Sequence, residues 1–350
     1  MISKERVLAA CAFRPPDRIP RFDSFWEYPD TWRARFGPPE GLTDIAIWVP
    51  NEGILPTAAR RLAENGRWID EVDTWGRTIR RREGAYFYET LDVPLKTAAL
   101  VDSLAFDPPD LDLRFEGNQR EAAGSGQPGD YSDQDHCVFG KTGGPFLRST
   151  FVRGEEQFLI DIARDPSLAR AIADRVGDHL LRVGVEAIRR WSLQDTGIWI
   201  FDDMAYNDGP LFSPASFEEV FLPAYRRMVR AYREAGAQYV FVHSDGDIRP
   251  LLDMLVDAGV DGINPIEPRA NMDIVTLRKR YPRLVLTGGM CNSDTLVNGP
   301  IERIESETRR IIDLGRDGGV VIGTHSISPE IPIEYFAAYQ KTCETYGIFT

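Results

Sequence analysis

From about Trp191 onward, short apolar runs alternate with segments of helical length, the rhythm that repeated βα units produce. The predicted strands are Gly197 to Asp202, Tyr239 to His243, Val260 to Asn264, Leu284 to Thr287 and Gly319 to Ile322. Most are continuously hydrophobic, as strands covered on both faces should be. Asp165, Ser213 and Ser328 each precede a proline, a cap residue with proline at the first helical position. Asp165 opens a predicted helix to about Arg190, and Gly236 and Gly259 stand where two later helices should stop in a left-handed cap. Five strands without an intervening hairpin predict an α/β fold, either a closed barrel or a doubly wound sheet.

The portion from 1 to about 135 is less regular. It holds a candidate first strand at Arg18 to Asp23, a hairpin-like region from Val72 to Leu95, and a polar Gly/Pro-containing loop from Leu111 to Gly129. A further strand is predicted at His136 to Phe139. No repeat or low-complexity linker divides the chain, so 1–350 reads as a single domain.

The carboxyl ends of the predicted strands collect polar chemistry. They read Asp202 and Asp203; His243, Ser244, Asp245 and Asp247; Asn264 and Glu267; Thr287, Gly288, Gly289 and Cys291; and Thr324 and His325. In a parallel barrel this end faces the substrate. One such residue would be a turn or cap, which is the reading for Ser244 and Asp247. The chain has four histidines, and two of them, His243 and His325, fall at these ends. His179 lies inside a predicted helix and reads as a surface or packing residue.

His243, Asp245, Glu267 and His325, with Cys291 as a further possibility, supply donors for a divalent ion such as zinc. The His-x-Asp spacing turns both side chains to one face of an extended segment. Without metal, Asp245 would orient His243 as an acid-base pair. Gly288 and Gly289 offer backbone N–H groups to an anionic substrate group. Phe22, Phe25, Trp26 and Tyr206 are candidates for an apolar pocket wall.

A formal charge of −13 argues against nucleic acid or an anionic membrane as partner. No apolar run approaches the ~20 residues of a membrane helix, and no signal segment is present. Four cysteines without pairing point to a reducing, cytoplasmic setting. No Walker loop, dinucleotide fingerprint or HExxH motif occurs.

Glu5 through Pro20, Leu211 to Tyr225, Val242 to Leu252, Gly262 to Pro268 and Gly288 to Met290 together resemble the uroporphyrinogen decarboxylase superfamily over nearly the full length. That resemblance implies a (β/α)8 TIM barrel. It also implies one of two chemistries: metal-free decarboxylation, or zinc-dependent methyl transfer involving a corrinoid protein. The arginine-rich segment of the decarboxylases is replaced here by Asp23 through Tyr28, which disfavours a polyacid substrate. The methyltransferases' His-x-Cys and later cysteine look to be replaced by His243, Asp245 and His325.

The expectation is therefore a zinc-assisted methyltransferase or demethylase acting on a small methylated compound with a corrinoid protein. In it Asp202 and Asp203 position the substrate or donate a proton. The alternatives are a decarboxylase of a smaller carboxylic acid, and a non-catalytic partner of a corrinoid protein or another subunit. Pairing as a homodimer is common in homologous barrels.

Overall fold

In the computed structural model, the apolar runs become seven parallel strands. They are β1 (Ile45–Val49), β2 (Cys137–Gly143), β3 (Gly197–Phe201), β4 (Tyr239–His243), β5 (Gly262–Ile266), β6 (Val285–Met290) and β7 (Val320–Thr324). The structure describes residues 1–25, 27–84, 87–116 and 135–349, together with the backbone of 119–121. The strands pair in chain order from β1 to β7, and Gln119–Glu121 adds antiparallel to the free side of β1. Nearly every strand residue is buried, which is why the sequence runs lack alternation. The sheet curls in a TIM-barrel-like α/β arrangement.

The expected first strand at Arg18 to Asp23 forms no ladder of its own. It makes one parallel bridge, Arg21 to Ile322 of β7, flanked by Phe22 N–H to Ile322 O and Ile322 N–H to Pro20 O, both 2.9 Å. On its other side the Asp44 N–H, just before β1, donates to Arg21 O at 2.8 Å. Pro20 has no N–H to give, so a regular run is interrupted there.

Helix α1 (Pro145–Arg153) follows β2, and α2 (Pro166–Arg190) begins where Asp165 accepts from the Leu168 N–H at 3.1 Å. Ser213 caps the turn Pro214–Ser216, which leads through Phe217–Phe221 into α3 (Leu222–Glu234). Gly236 and Gly259 adopt φ of +102° and +95°, as the stop signals require. The expected cap at Ser328 is corrected: α4 (Ile333–Tyr346) starts after Pro332. This second proline holds Ile331 away from helical geometry, and Ser328 O instead accepts from the Ile331 N–H in a turn.

In place of one hairpin, Arg60–Asn65, Trp68–Val72, Thr78–Arg82 and Tyr88–Asp92 form a four-stranded antiparallel sheet. Its outer strands are exposed along their whole length, so burial imposes no period on their sequence. The polar 111–129 segment lies outside the described residues at 117–118 and from 122 on, as does Trp26. Among the described residues no helix is long and apolar enough to cross a membrane.

Alternate strand residues fill the interior, with Phe139, Trp199, Phe201 and Phe241 in one aromatic cluster. Phe22 belongs to it, 5.0 Å from Trp199 between ring centroids, and Phe25 packs edge-on to Tyr28. Both are closed off from solvent, so as placed they are core rather than pocket wall.

His179 sits on α2 as a packing residue, its Nε2–H donating to Glu52 O at 2.9 Å. Burial, with Arg114 nearby, lowers its pKa to about 4. Between pH 4 and 6.5 the unfolded chain binds a proton that the folded chain refuses, so stability falls as pH drops through this window. The expected loss from this group is about 2 kcal/mol at pH 5 relative to pH 7.5. Urea unfolding of wild type and His179→Gln at both pH values checks it, and an unchanged pH dependence in the variant would clear His179.

Candidate metal centre

The two-residue period that sends Trp199, Phe201, Tyr239, Phe241 and Val321 into the interior continues past the strand ends. It turns Asp203, His243, Asp245 and His325 toward the same mouth. His243 Nε2 lies 3.5 Å and His325 Nε2 3.0 Å from Asp245 Oδ1. One ligand atom from each of these three residues falls within 4.8 Å of the others. Glu267 and Asp203 form the surround, with His325 Nδ1 3.8 Å from Glu267 Oε1 and His243 Nε2 3.9 Å from Asp203 Oδ1.

His243 is held from two sides. Its Nδ1 is 2.6 Å from Asn264 Oδ1, an acceptor, which assigns the proton to Nδ1 and leaves a lone pair on Nε2. Its ring stacks on Phe201 at 4.2 Å and 16°. The Nε2 lone pair then faces Asp245 Oδ1, a buried oxygen that takes no well-directed hydrogen bond among the described residues. Electron pairs pointed at one another are what a shared cation relieves, and two imidazoles with a carboxylate are a zinc-type donor set. On this observation the residues fit such an ion.

Burial disfavours a charged imidazole, yet the close approach of Asp245 at 3.0 Å and the charges of Asp245, Glu267 and Asp203 outweigh it and raise His325 to about 9. Burial likewise works against the Asp245 carboxylate, but His325 and His243 keep its pKa below the ordinary value. The metal-free pair is thus imidazolium and carboxylate, and an incoming cation displaces a proton.

The β4 loop is tied to its neighbours. Asp203 Oδ1 accepts from the Asp245 N–H at 3.3 Å, Glu267 Oε2 from the Gly246 N–H at 2.9 Å, and Ser244 Oγ from the Met204 N–H at 2.9 Å. Gly246, at φ +84°, lies so close to the Ala205 and Tyr206 backbone that a Cβ would not fit.

The period that brings Asp203 forward turns Asp202 back. Asp202 is fully buried, accepting from the N–H groups of Phe146 (3.2 Å) and Leu147 (2.6 Å) at the start of α1 and from Tyr225 Oη (2.8 Å). Burial outweighs these bonds and raises its pKa to about 7.

The other expected site residues are not among the three that form the ligand group. Gly288 and Gly289 are inside β6, paired with Ile322 and Gly323, where a Cβ would strike Ile266 or crowd Ile274. Tyr206 is exposed at 54%. Cys291 Sγ is 3.8 Å from Ser293 Oγ in a separate crevice with Arg269 and Arg303. Asp247 pairs with Arg249 at 2.7 Å, a turn role. Residue-by-residue reading of the sequence overlooked Asn264 as a positioning group and Phe201 as a stacking partner. Both follow from strand register, since each is the neighbour of His243 on an adjoining strand.

No curated protein matches the chain. Among solved structures it is similar to a methyltransferase from Methanosarcina mazei, at 17% identity and a TM-score of 0.64 over 99% of both chains. That likeness speaks to fold. Two others, the glycoside hydrolase family 5 enzyme PbGH5A from Prevotella bryantii B14 and a sugar phosphate isomerase/epimerase from Parabacteroides distasonis, have 10% and 8% identity. Their TM-scores are 0.34 and 0.29, over 61% of this chain and 73% and 71% of theirs, and they carry no weight here. The model of the uroporphyrinogen decarboxylase (URO-D) family matches residues 131–346, a span that includes β2 to β7 and every residue of the histidine-carboxylate cluster. With most of the chain and its whole candidate centre inside that match, the protein belongs to the uroporphyrinogen decarboxylase family.

Proposed function

We propose that the protein is a metal-assisted methyltransferase that takes a methyl group from a small methylated compound and passes it to a corrinoid carried by another protein. The observation that carries this reading is the convergence of His243 Nε2, Asp245 Oδ1 and His325 on one point, with the Asp245 oxygen lacking a directed hydrogen bond among the described residues. Glu267 stands within reach as a further oxygen donor. A zinc ion held there would act as a Lewis acid on the methyl-bearing heteroatom.

The chain's own residues do the rest. Asn264 and Phe201 fix the His243 ring, and Asp203, at the rim, exchanges a proton with the departing heteroatom. Asp202 contributes by position, through the start of α1. Residues 18–23 serve as the eighth stave that closes the barrel around this mouth, in a single domain. The methyltransferase likeness is in keeping with the reading. A decarboxylase would have to seat a carboxylate at the reacting centre, where Asp203, Asp245 and Glu267 already concentrate negative charge.

The test is metal analysis of the purified protein together with two assays, methyl transfer from methylated ethers and amines to added cob(I)alamin and carbon dioxide release from small carboxylic acids. About one zinc per chain with cobalamin methylation is the expected result. Metal-independent carbon dioxide release would replace the reading with decarboxylation. Neither metal nor turnover would leave a non-catalytic binding partner.

A further inference from the structure

A crevice of about 430 Å³ opens at the loops that follow β5 and β6, with Arg269, Cys291, Ser293, Asp294, Asn298 and Arg303 in its lining. Glu267 ties it to the metal centre. The Glu267 carbonyl accepts from the Ala270 N–H at 3.0 Å and the Met272 N–H at 3.1 Å, which closes the turn carrying Arg269. Its carboxylate meanwhile reaches the cluster, Oε1 lying 3.8 Å from His325 Nδ1. Arg269 is two residues beyond Glu267, a backbone distance of at most about 7 Å. On the other wall, Cys291 follows Met290, whose partner on β7 is Thr324, the residue before His325. The crevice and the candidate ligands therefore occupy neighbouring strand ends at the same face of the barrel.

Among the described residues that line the crevice, Asp294 is the one carboxylate, against two guanidinium groups. Asp294 accepts from Arg303 Nη2 at 2.5 Å and from Asn298 Nδ2 at 3.0 Å. Arg269 reaches it by charge alone, and with Arg303 and Asn298, which contribute more, holds the Asp294 carboxyl below its ordinary pKa. A guanidinium carries five N–H donors, so the bond to Asp294 commits only a small part of Arg303. The crevice is thus positive within a chain of formal charge −13, while Asp203, Asp245 and Glu267 make the adjoining mouth negative. An oxyanion arriving at this face is repelled by the mouth and drawn to the arginines, whose planar forks match carboxylate and phosphate oxygens.

We infer that the crevice walled by Arg269 and Arg303 is an oxyanion-binding subsite beside the metal centre, and that it takes the carboxylate or phosphate end of a small molecule whose other end reaches the candidate ligands. That the other end is a methylated oxygen or nitrogen rests on the methyl-transfer reading. The preference for an oxyanion stands on the crevice and is measured without turnover.

The experiment uses 4-methoxybutyrate, 4-methoxybutyl phosphate and 4-methoxybutan-1-ol, which share a methyl ether on a short flexible chain and differ at the far end. Binding to the full-length protein is measured by NMR titration for wild type, Arg269→Gln, Arg269→Lys and Arg189→Gln, with metal content and melting temperature recorded for each. Wild type should bind at least one anion more tightly than the alcohol, and the tighter of the two names the group. Arg269→Gln should weaken that anion by roughly tenfold to a hundredfold, the range for loss of a charge-assisted hydrogen bond. Arg269→Lys should keep the preference, and both variants should leave alcohol binding and metal content unchanged. Arg189→Gln removes an equal charge from an exposed position near the end of α2 and should change nothing. Equal anion affinity in wild type and Arg269→Gln overturns the inference. So do an equal loss in Arg189→Gln, alcohol binding as tight as that of both anions, or no saturable binding of any of the three. Failure of the methyl-transfer reading shows up separately, as absent zinc and absent cobalamin methylation, whatever the anion preference.

Discussion

His243→Ala and His325→Ala are each expected to purify without zinc and to lose methyl transfer by on the order of a hundredfold or more, the scale of several kcal/mol of lost Lewis-acid stabilisation. Each removes one of the two imidazoles beside Asp245 Oδ1 and leaves that buried oxygen with a single nearby imidazole. Removing a donor differs from loosening one, and Asn264 separates the two effects. Asn264→Ala keeps every ligand but frees the His243 ring from the acceptor that fixes its tautomer. Zinc affinity should then fall by roughly tenfold to a hundredfold, with turnover largely restored at saturating zinc. Competition against a chelating dye reads the affinity, and assays with and without added zinc read the rescue. Full zinc occupancy and turnover in both histidine variants would remove the metal centre from the mechanism.

The cluster was visible in the sequence because it sits where secondary structure makes it visible. β4 is a continuous apolar run ending in His243, and α2 carries its own punctuation in Asp165 and Pro166. Where structure came from something other than an apolar run, sequence reading fell short. The four-stranded sheet from Arg60 to Asp92 is built from charged strands that bury little beyond Ile69 and Ile79, so neither period nor composition marks it. β5 begins two residues later than the run suggests, although the Asp261 backbone already bonds both neighbouring strands, its N–H donating to Val240 O at 2.9 Å and its carbonyl accepting from the Val285 N–H at 2.8 Å. The pairing of Asp202 with Asp203 as one functional unit failed for a simpler reason. Neighbours on an extended chain face opposite ways, and which of them faces the mouth depends on register that one strand cannot reveal.

Asp202 is accordingly expected to matter first for stability. Asp202→Ala leaves two N–H groups at the start of α1 and the Tyr225 hydroxyl without their acceptor in a fully buried place, for a loss of roughly 3 to 5 kcal/mol. Asp202→Asn retains one acceptor oxygen and should lose less, and it removes a titration. With its pKa raised to about 7 by burial, Asp202 holds a proton in the folded chain that the unfolded chain releases near pH 4. Its stabilising share is therefore fully present below pH 4 and is lost as pH rises through 7, about 1 to 1.5 kcal/mol between pH 6 and 8.5. His179 pulls the opposite way at the acid end of this range, so the quantity to compare is the pH dependence of wild type minus that of Asp202→Asn. Urea unfolding at both pH values supplies it. A difference near zero would mean that Asp202 is already ionised at pH 6, with the three donors outweighing its burial, and that the capping of α1 is the work of a permanent charge.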